Sequence, residues 1–202
     1  MSGIDTSNHA KYVDAQSNPV VRALMARLFR AVARPLAAFE PTSMLDAGCG
    51  EGHALDELGV VIPERYVGID ANATCVAYCK ERYPQRSFQT SSVLELPFAN
   101  EEFDVVLCME VLEHLDKPTQ AIRELARVAK KGIVLSVPFE PIFQLGNGVR
   151  GKYPSTFGNH PEHVQHWGRR SFPRWLASTG VLTDITVQTA GTWLVAKARP
   201  LR

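Results

Sequence analysis

The sequence predicts an α/β fold built on a doubly wound, mostly parallel sheet of seven strands. Short apolar runs alternate with stretches of helical periodicity, the pattern that parallel sheets with crossover helices leave in a chain. A glycine-rich turn separates the first run from the helical pattern after it. The second run ends in an acid, Asp70, twenty residues past Gly50. A chain of 202 residues with 45% hydrophobic content is long enough to bury a full core as one domain. We divide it into an N-terminal segment and helix over 1–39 and a main domain over 40–202, the latter carrying an insertion at 139–170.

Residues 1–18 are polar and carry no periodic signal. From Pro19 to Phe39, Val21, Leu24, Met25, Leu28, Val32 and Leu36 form an apolar stripe, and Arg27, Arg30 and Arg34 share the other side, which reads as a solvated face. Ser43–Ala47 is the first strand, Tyr66–Asp70 the second, Ser87–Thr90 the third and Asp104–Met109 the fourth. A helical stretch at 72–82 follows Asp70. Ile122, Leu125, Ala126 and Ala129 mark a helix from Pro118, with Lys130-Lys131-Gly132 as its stop signal, and Ile133–Val137 is the fifth strand. Ser171–Thr179 reads as the last helix, ended by Gly180, followed by strands at Asp184–Gln188 and Thr192–Ala198.

Residues 44–52 read Met-Leu-Asp-Ala-Gly-Cys-Gly-Glu-Gly. Glycine lets backbone approach a ligand with no Cβ in the way, and the amides that open the next helix supply donors. A dinucleotide fingerprint needs its third glycine at position 53, where this chain has His53. Asp46 with Gly48, Gly50 and Gly52 instead resembles motif I of the class I S-adenosylmethionine (SAM) methyltransferases, of the type 11, ubiquinone-biosynthesis-like small-molecule group. The resemblance implies a Rossmann-like seven-stranded sheet whose last two strands form an antiparallel hairpin at the edge. It also implies SAM as cofactor, with the loop around its amino-acid end and an acid near its ammonium. Asp70, an acid ending a strand at this distance from the loop, is placed for the ribose hydroxyls. Ser91-Ser92-Val93-Leu94-Glu95-Leu96-Pro97-Phe98 resembles the family's adenine segment. Many relatives carry Asp where this chain has Ser92, so the adenine contact falls on Ser92 and the backbone around Val93. Glu110, just past the fourth strand, completes the candidate cofactor residues.

Composition excludes several classes of function. A net charge of +1 gives no global attraction to nucleic acid or anionic membrane. No run is long enough to span a bilayer, and the N-terminus has neither a basic start nor an apolar stretch, so no secretory signal and a cytoplasmic setting are expected. Cys49, Cys75, Cys79 and Cys108 form no CxxC pair and read as reduced thiols; Cys75 and Cys79, one helical turn apart, read as small core residues.

Residues 139–170 are longer than an ordinary connection and rich in glycine, aromatics and histidine. Placed after the fifth strand, they read as a substrate-binding cap over the carboxyl edge of the sheet. If 110–114 form a helical turn, Glu110, Glu113 and His114 share one face at i, i+3 and i+4. Such a set suits Mg²⁺ or another divalent cation, completed by a cap histidine, with His160 the candidate. Two methyltransferase groups have a similar Glu-x-x-Glu-His arrangement, the ubiquinone-biosynthetic O-methyltransferases and the small-RNA 3′-end 2′-O-methyltransferases. Metal-free members of the fold also carry Leu-Glu-His-Leu turns.

A sulfonium methyl is already activated, so a base matters mainly for a hydroxyl acceptor. His114, then His163 and His160, are the candidate catalytic bases, with Glu113 beside them. The resulting expectation is SAM-dependent O-methylation of a small phenolic, quinone-like or sugar/lipid intermediate. The alternatives are metal-dependent 2′-O-methylation of an RNA end and SAM binding without catalysis. The acceptor, and the number of copies in the assembly, are not legible in the sequence.

Overall fold

A computed structural model of the chain describes residues 17–140 and 164–202. Helix α1, Pro19–Ala37, starts with a side-chain cap: Asn18 Oδ1 accepts the Val20 N–H at 2.9 Å, and Pro19 occupies the first turn, where no N–H is required. Pro35 lies inside the helix and has no N–H for the Ala31 carbonyl one turn back. Gln188 Nε2 donates to that carbonyl instead, at 2.9 Å, which ties the helix to the far end of the chain.

The strands are β1 Ser43–Ala47, β2 Arg65–Asp70, β3 Ser87–Thr90, β4 Phe103–Met109, β5 Ala129–Pro138, β6 Leu182–Ala190 and β7 Trp193–Pro200. They form one sheet in the order β3-β2-β1-β4-β5-β7-β6, with β7 antiparallel to both β5 and β6 and the other neighbours parallel. The expected seven-stranded, mostly parallel sheet with a terminal antiparallel hairpin is therefore present. The helices are α2 His53–Leu58, α3 Ala73–Arg82, α4 Pro118–Val128 and α5 Ser171–Ser178.

Successive strand residues drop to opposite faces, so each face of the sheet has its own core. Leu45, Val106 and Leu135 pack with Ile122 and Leu125 of α4 and Phe172 of α5. Met44, Val105 and Val134 pack with Leu28 and Val32 of α1, Leu58 of α2 and Val76 of α3. Covering both faces explains why the central strands read as continuous apolar runs.

One boundary differs from expectation. Lys130, Lys131 and Gly132 lie within β5 and do not terminate α4, which stops at Val128. Gly132 pairs with Val105 in the ladder, and any Cβ there would collide with the Phe39 ring. Lys131 Nζ reaches Asp104 at 3.0 Å and the Glu40 carbonyl at 3.0 Å. Packing and pairing, not helix capping, set these residues. Because β1 connects to β2 on one side while β4 flanks it on the other, the strand order reverses between β1 and β4, and a crevice opens at their carboxyl ends.

Candidate active site

A cavity of about 460 Å³ occupies that crevice. Of the residues expected to hold the cofactor, Asp46, Gly48, Gly50, Asp70, Ser92, Val93 and Glu110 line it. Gly52 does not; at φ 80° it opens α2 and packs against Tyr83. The outer wall is Met25, Leu28 and Phe29 of α1. Sequence reasoning assigned Met25 and Leu28 to an ordinary core stripe and did not single out Phe29, and nothing in the spacing separates a core face from a cavity roof.

The glycine loop is held from β2. Gly48 N–H and Cys49 N–H both donate to the Ile69 carbonyl at 2.8 Å. Gly50 N–H donates to Asp70 Oδ2 at 2.9 Å, and Asn72 N–H to Asp70 Oδ1 at 2.8 Å. Asp70 thus fastens the loop to the start of α3 and keeps a further lone pair on each oxygen for a ligand. Gly50 has φ 51° and nothing within 4 Å of where a Cβ would stand, consistent with its place on the cavity wall. Gly48 answers a different need: a Cβ there would run into the side chain of Val111, on the loop leaving β4.

Asp46 is buried at the cavity floor and accepts the Tyr66 hydroxyl at 2.7 Å. Burial pushes its pKa from 3.8 up to about 7, against the lowering effect of the Tyr66 bond, with the Asp70 charge adding to the rise. Ser92 Oγ accepts the Leu94 N–H at 3.1 Å, which fixes the turn after β3 and leaves its proton to donate. Cys49 and Cys79 are free thiols beside the loop, Cys79 donating to the Gly50 carbonyl at 3.3 Å, so Cys79 is a core residue as expected.

The turn after β4 departs from expectation. Residues 110–114 do not form an α-helical turn: Glu110 has φ 54°, and Leu112–His114 is a single 3₁₀ turn. Glu110 and His114 line the cavity, His114 as an exposed side chain, whereas Glu113 does not line it and is 1% exposed. Among the described residues neither Glu113 carboxylate oxygen has a hydrogen-bond partner of good geometry. Burial raises its pKa well above the carboxylate range, and the charges of Glu110 and Glu140 raise it further. Among the described residues no group of three or more His, Cys, Asp or Glu side chains is arranged to hold a metal ion. The shared face required for a metal at Glu110, Glu113 and His114 is therefore missing, and the fourth ligand proposed for it, His160, lies outside the described residues, as does His163.

The described ends of the insertion meet this turn. Val164 N–H and Gln165 N–H donate to the Glu113 carbonyl at 2.8 and 3.1 Å, and Gln165 Nε2 to the Leu115 carbonyl at 3.1 Å. Phe139 bridges Trp167, whose indole packs on Trp175 with ring centres 4.7 Å apart. The described residues on either side of 141–163 thus meet the turn after β4; 141–163 itself, the bulk of the expected cap, lies outside the described residues.

Residues 45–137 match the family described as Methyltransferase domain. Over 94 residues the chain is 35% identical to a protein of Mycobacterium tuberculosis (strain ATCC 25618 / H37Rv) named "Probable S-adenosylmethionine-dependent methyltransferase Rv3030", covering 46% of this chain and 34% of that one. It is 37% identical over 101 residues to the ubiquinone biosynthesis O-methyltransferase of Hahella chejuensis, covering 48% of this chain and 42% of that one. The matched segment thus spans a third to two fifths of these relatives' length. Magnesium protoporphyrin IX methyltransferase from Synechocystis PCC 6803, solved with bound S-adenosylhomocysteine, has the same fold, with a TM-score of 0.67 at 17% identity, 96% of this chain and 95% of that one being covered. The motif-bearing cavity, the reversed strand order and these matches together make residues 45–137 a segment similar to the methyltransferase domain of SAM-dependent methyltransferases.

Proposed function

We propose that this chain binds SAM in the cavity between β1 and β4 and transfers its methyl group to an oxygen of a small phenolic, quinone-like or sugar/lipid molecule. The observation that carries the reading is the set of Asp46, the Gly48–Gly50 loop and Asp70 around one cavity, an acid, a glycine loop whose backbone lines the wall and a second acid at one sheet edge. SAM supplies a methyl already activated on a sulfonium, so the protein's tasks are to hold the donor, place the acceptor in line and exclude water.

In this reading Asp46 faces the donor's ammonium, Asp70 the ribose hydroxyls, and Ser92 and Val93 the adenine. The apolar side chains of α1 close the outer side of the cavity against water. His114, exposed at the cavity wall, takes the acceptor's proton, with His163 and His160 as further candidate bases. Among the described residues no cluster is arranged to hold a metal ion, and the proposed transfer needs none. O-directed chemistry draws support from the ubiquinone biosynthesis O-methyltransferase among the relatives.

Calorimetry with SAM, S-adenosylhomocysteine and NAD tests the cofactor. Binding of the first two and not the third is expected; NAD binding without SAM binding overturns the reading. Transfer of labelled methyl from SAM is then followed on 3,4-dihydroxybenzoate and on an RNA oligonucleotide. Label on the phenol is the expected result, and label on RNA alone overturns the small-molecule assignment.

A further inference from the structure

Glu110 leaves β4 in the left-handed region, φ 54°, a conformation that a side chain larger than glycine holds only where its surroundings enforce it. Three hydrogen bonds enforce it. Its backbone N–H donates to the Ser136 carbonyl at 3.1 Å. Ser136 Oγ donates to Glu110 Oε1 at 2.8 Å, and Trp193 Nε1 donates to Glu110 Oε2 at 2.7 Å. The donors come from β5 and from the first residue of β7, which is 83 residues away in sequence.

Core packing accounts for the Trp193 ring, which lies against the α1-side core, but not for the direction of its N–H. Phenylalanine would supply an aromatic ring to that packing without the donor. What the indole adds is a donor on a carboxylate that lines the cavity, at the start of the hairpin's second strand, where Trp193 pairs with Pro138. Held by a donor at each oxygen, the carboxylate cannot rotate freely and keeps a fixed direction.

We propose that Trp193, together with Ser136, is a positioning residue for methyl transfer: it holds the Glu110 carboxylate beside the place in the cavity where the donor's transferable group lies. This rests on the SAM reading above. A carboxylate fixed there accepts a hydrogen bond from an acceptor hydroxyl and turns its oxygen toward the methyl. Neither donor touches the reacting atoms, so both act through Glu110.

The test uses two ligands that need no acceptor. S-Adenosylhomocysteine has a neutral thioether at the transfer position, whereas sinefungin carries an ammonium there. A carboxylate held at that point favours sinefungin by about tenfold or more, the scale of a hydrogen bond between charged groups. Trp193→Phe keeps the ring and removes the donor. It is expected to bring the affinity ratio to within about threefold of unity while leaving S-adenosylhomocysteine affinity within about twofold. Glu110→Gln is expected to remove the preference as well, and Ser136→Ala, which spares the aromatic packing, gives a second reading should Trp193→Phe melt early.

A parallel loss of both ligands in Trp193→Phe assigns the indole a structural role and overturns the proposal. So does a preference that survives Trp193→Phe and Ser136→Ala but is lost in Glu110→Gln, and so does a wild-type chain that binds both ligands equally. A wild-type chain that binds neither ligand counts instead against the SAM reading on which the proposal rests.

Discussion

The Tyr66 hydroxyl donates to Asp46 Oδ2 at 2.7 Å across the β1–β2 pair, at the floor of the cavity. That bond favours the charged carboxylate, yet burial outweighs it, and Asp46 titrates at about 7 and not at 3.8. For an acid raised in this way, the folded state binds a proton that the unfolded state releases between about pH 4 and pH 7. Its contribution to stability is therefore greatest at low pH, falls as pH rises through that window, and is level above it.

A cationic ligand near Asp46 reverses the preference. SAM affinity is expected to rise with pH up to about 7 and then level, because binding below that point must expel the Asp46 proton. Calorimetry at pH 6 in phosphate and in bis-Tris, buffers of very different ionisation enthalpy, reads the proton directly. Identical heats in the two buffers, or proton release that persists in Asp46→Asn, would remove Asp46 from the ammonium's site.

The two loop glycines should fail differently. Gly48→Ala meets both a left-handed φ of 87° and the Val111 side chain, so it should lower the melting temperature markedly. Gly50→Ala meets open space and carries only the backbone cost, about 1–2 kcal/mol, while a methyl on the cavity wall weakens S-adenosylhomocysteine. Asp70→Ala should weaken that ligand by about 1–3 kcal/mol and also free the Gly50 amide. Equal melting temperatures for the two alanine variants would show that Val111 gives way.

The sheet was legible because its signals are local: apolar runs bounded by turns, and the glycine spacing after β1. Asp46, Gly48, Gly50, Asp70, Ser92 and Val93 were readable for the same reason, since each lies at or just beyond the carboxyl end of a strand. Glu113 was misplaced because a sequence offers no sign that 110–114 begins with a left-handed residue and tightens to a 3₁₀ turn. That geometry turns Glu113 inward while Glu110 and His114 face the cavity. Trp193 and Ser136 left no signal, since their tie to Glu110 spans 83 and 26 residues. Nor did Gln188, whose bond to the Ala31 carbonyl exists because Pro35 cannot make it.

Glu113 is 1% exposed, and its carboxylate has no good donor to hold its charge. With its pKa raised, ionisation as pH increases costs stability, whereas glutamine stays neutral. The gain in melting temperature of Glu113→Gln over wild type should therefore be larger at pH 9 than at pH 5. A gain that does not vary with pH would mean that the carboxylate finds a donor or solvent.

His114 is the most exposed of the polar residues at the turn after β4, and its backbone N–H bonds the Val111 carbonyl at 3.1 Å, so the turn survives changes to the side chain. If it removes the acceptor's proton, His114→Ala should slow methyl transfer to a phenol by roughly 10²–10⁴ while leaving S-adenosylhomocysteine affinity and melting temperature near wild type. A chelator should leave the rate unchanged, since Glu113 is turned away from the cavity that Glu110 and His114 line. Two results would send the search elsewhere. Loss of cofactor affinity in His114→Ala would make the imidazole part of the donor pocket. Full activity in that variant would mean that the proton leaves through another group, with His163 and His160 next to be replaced.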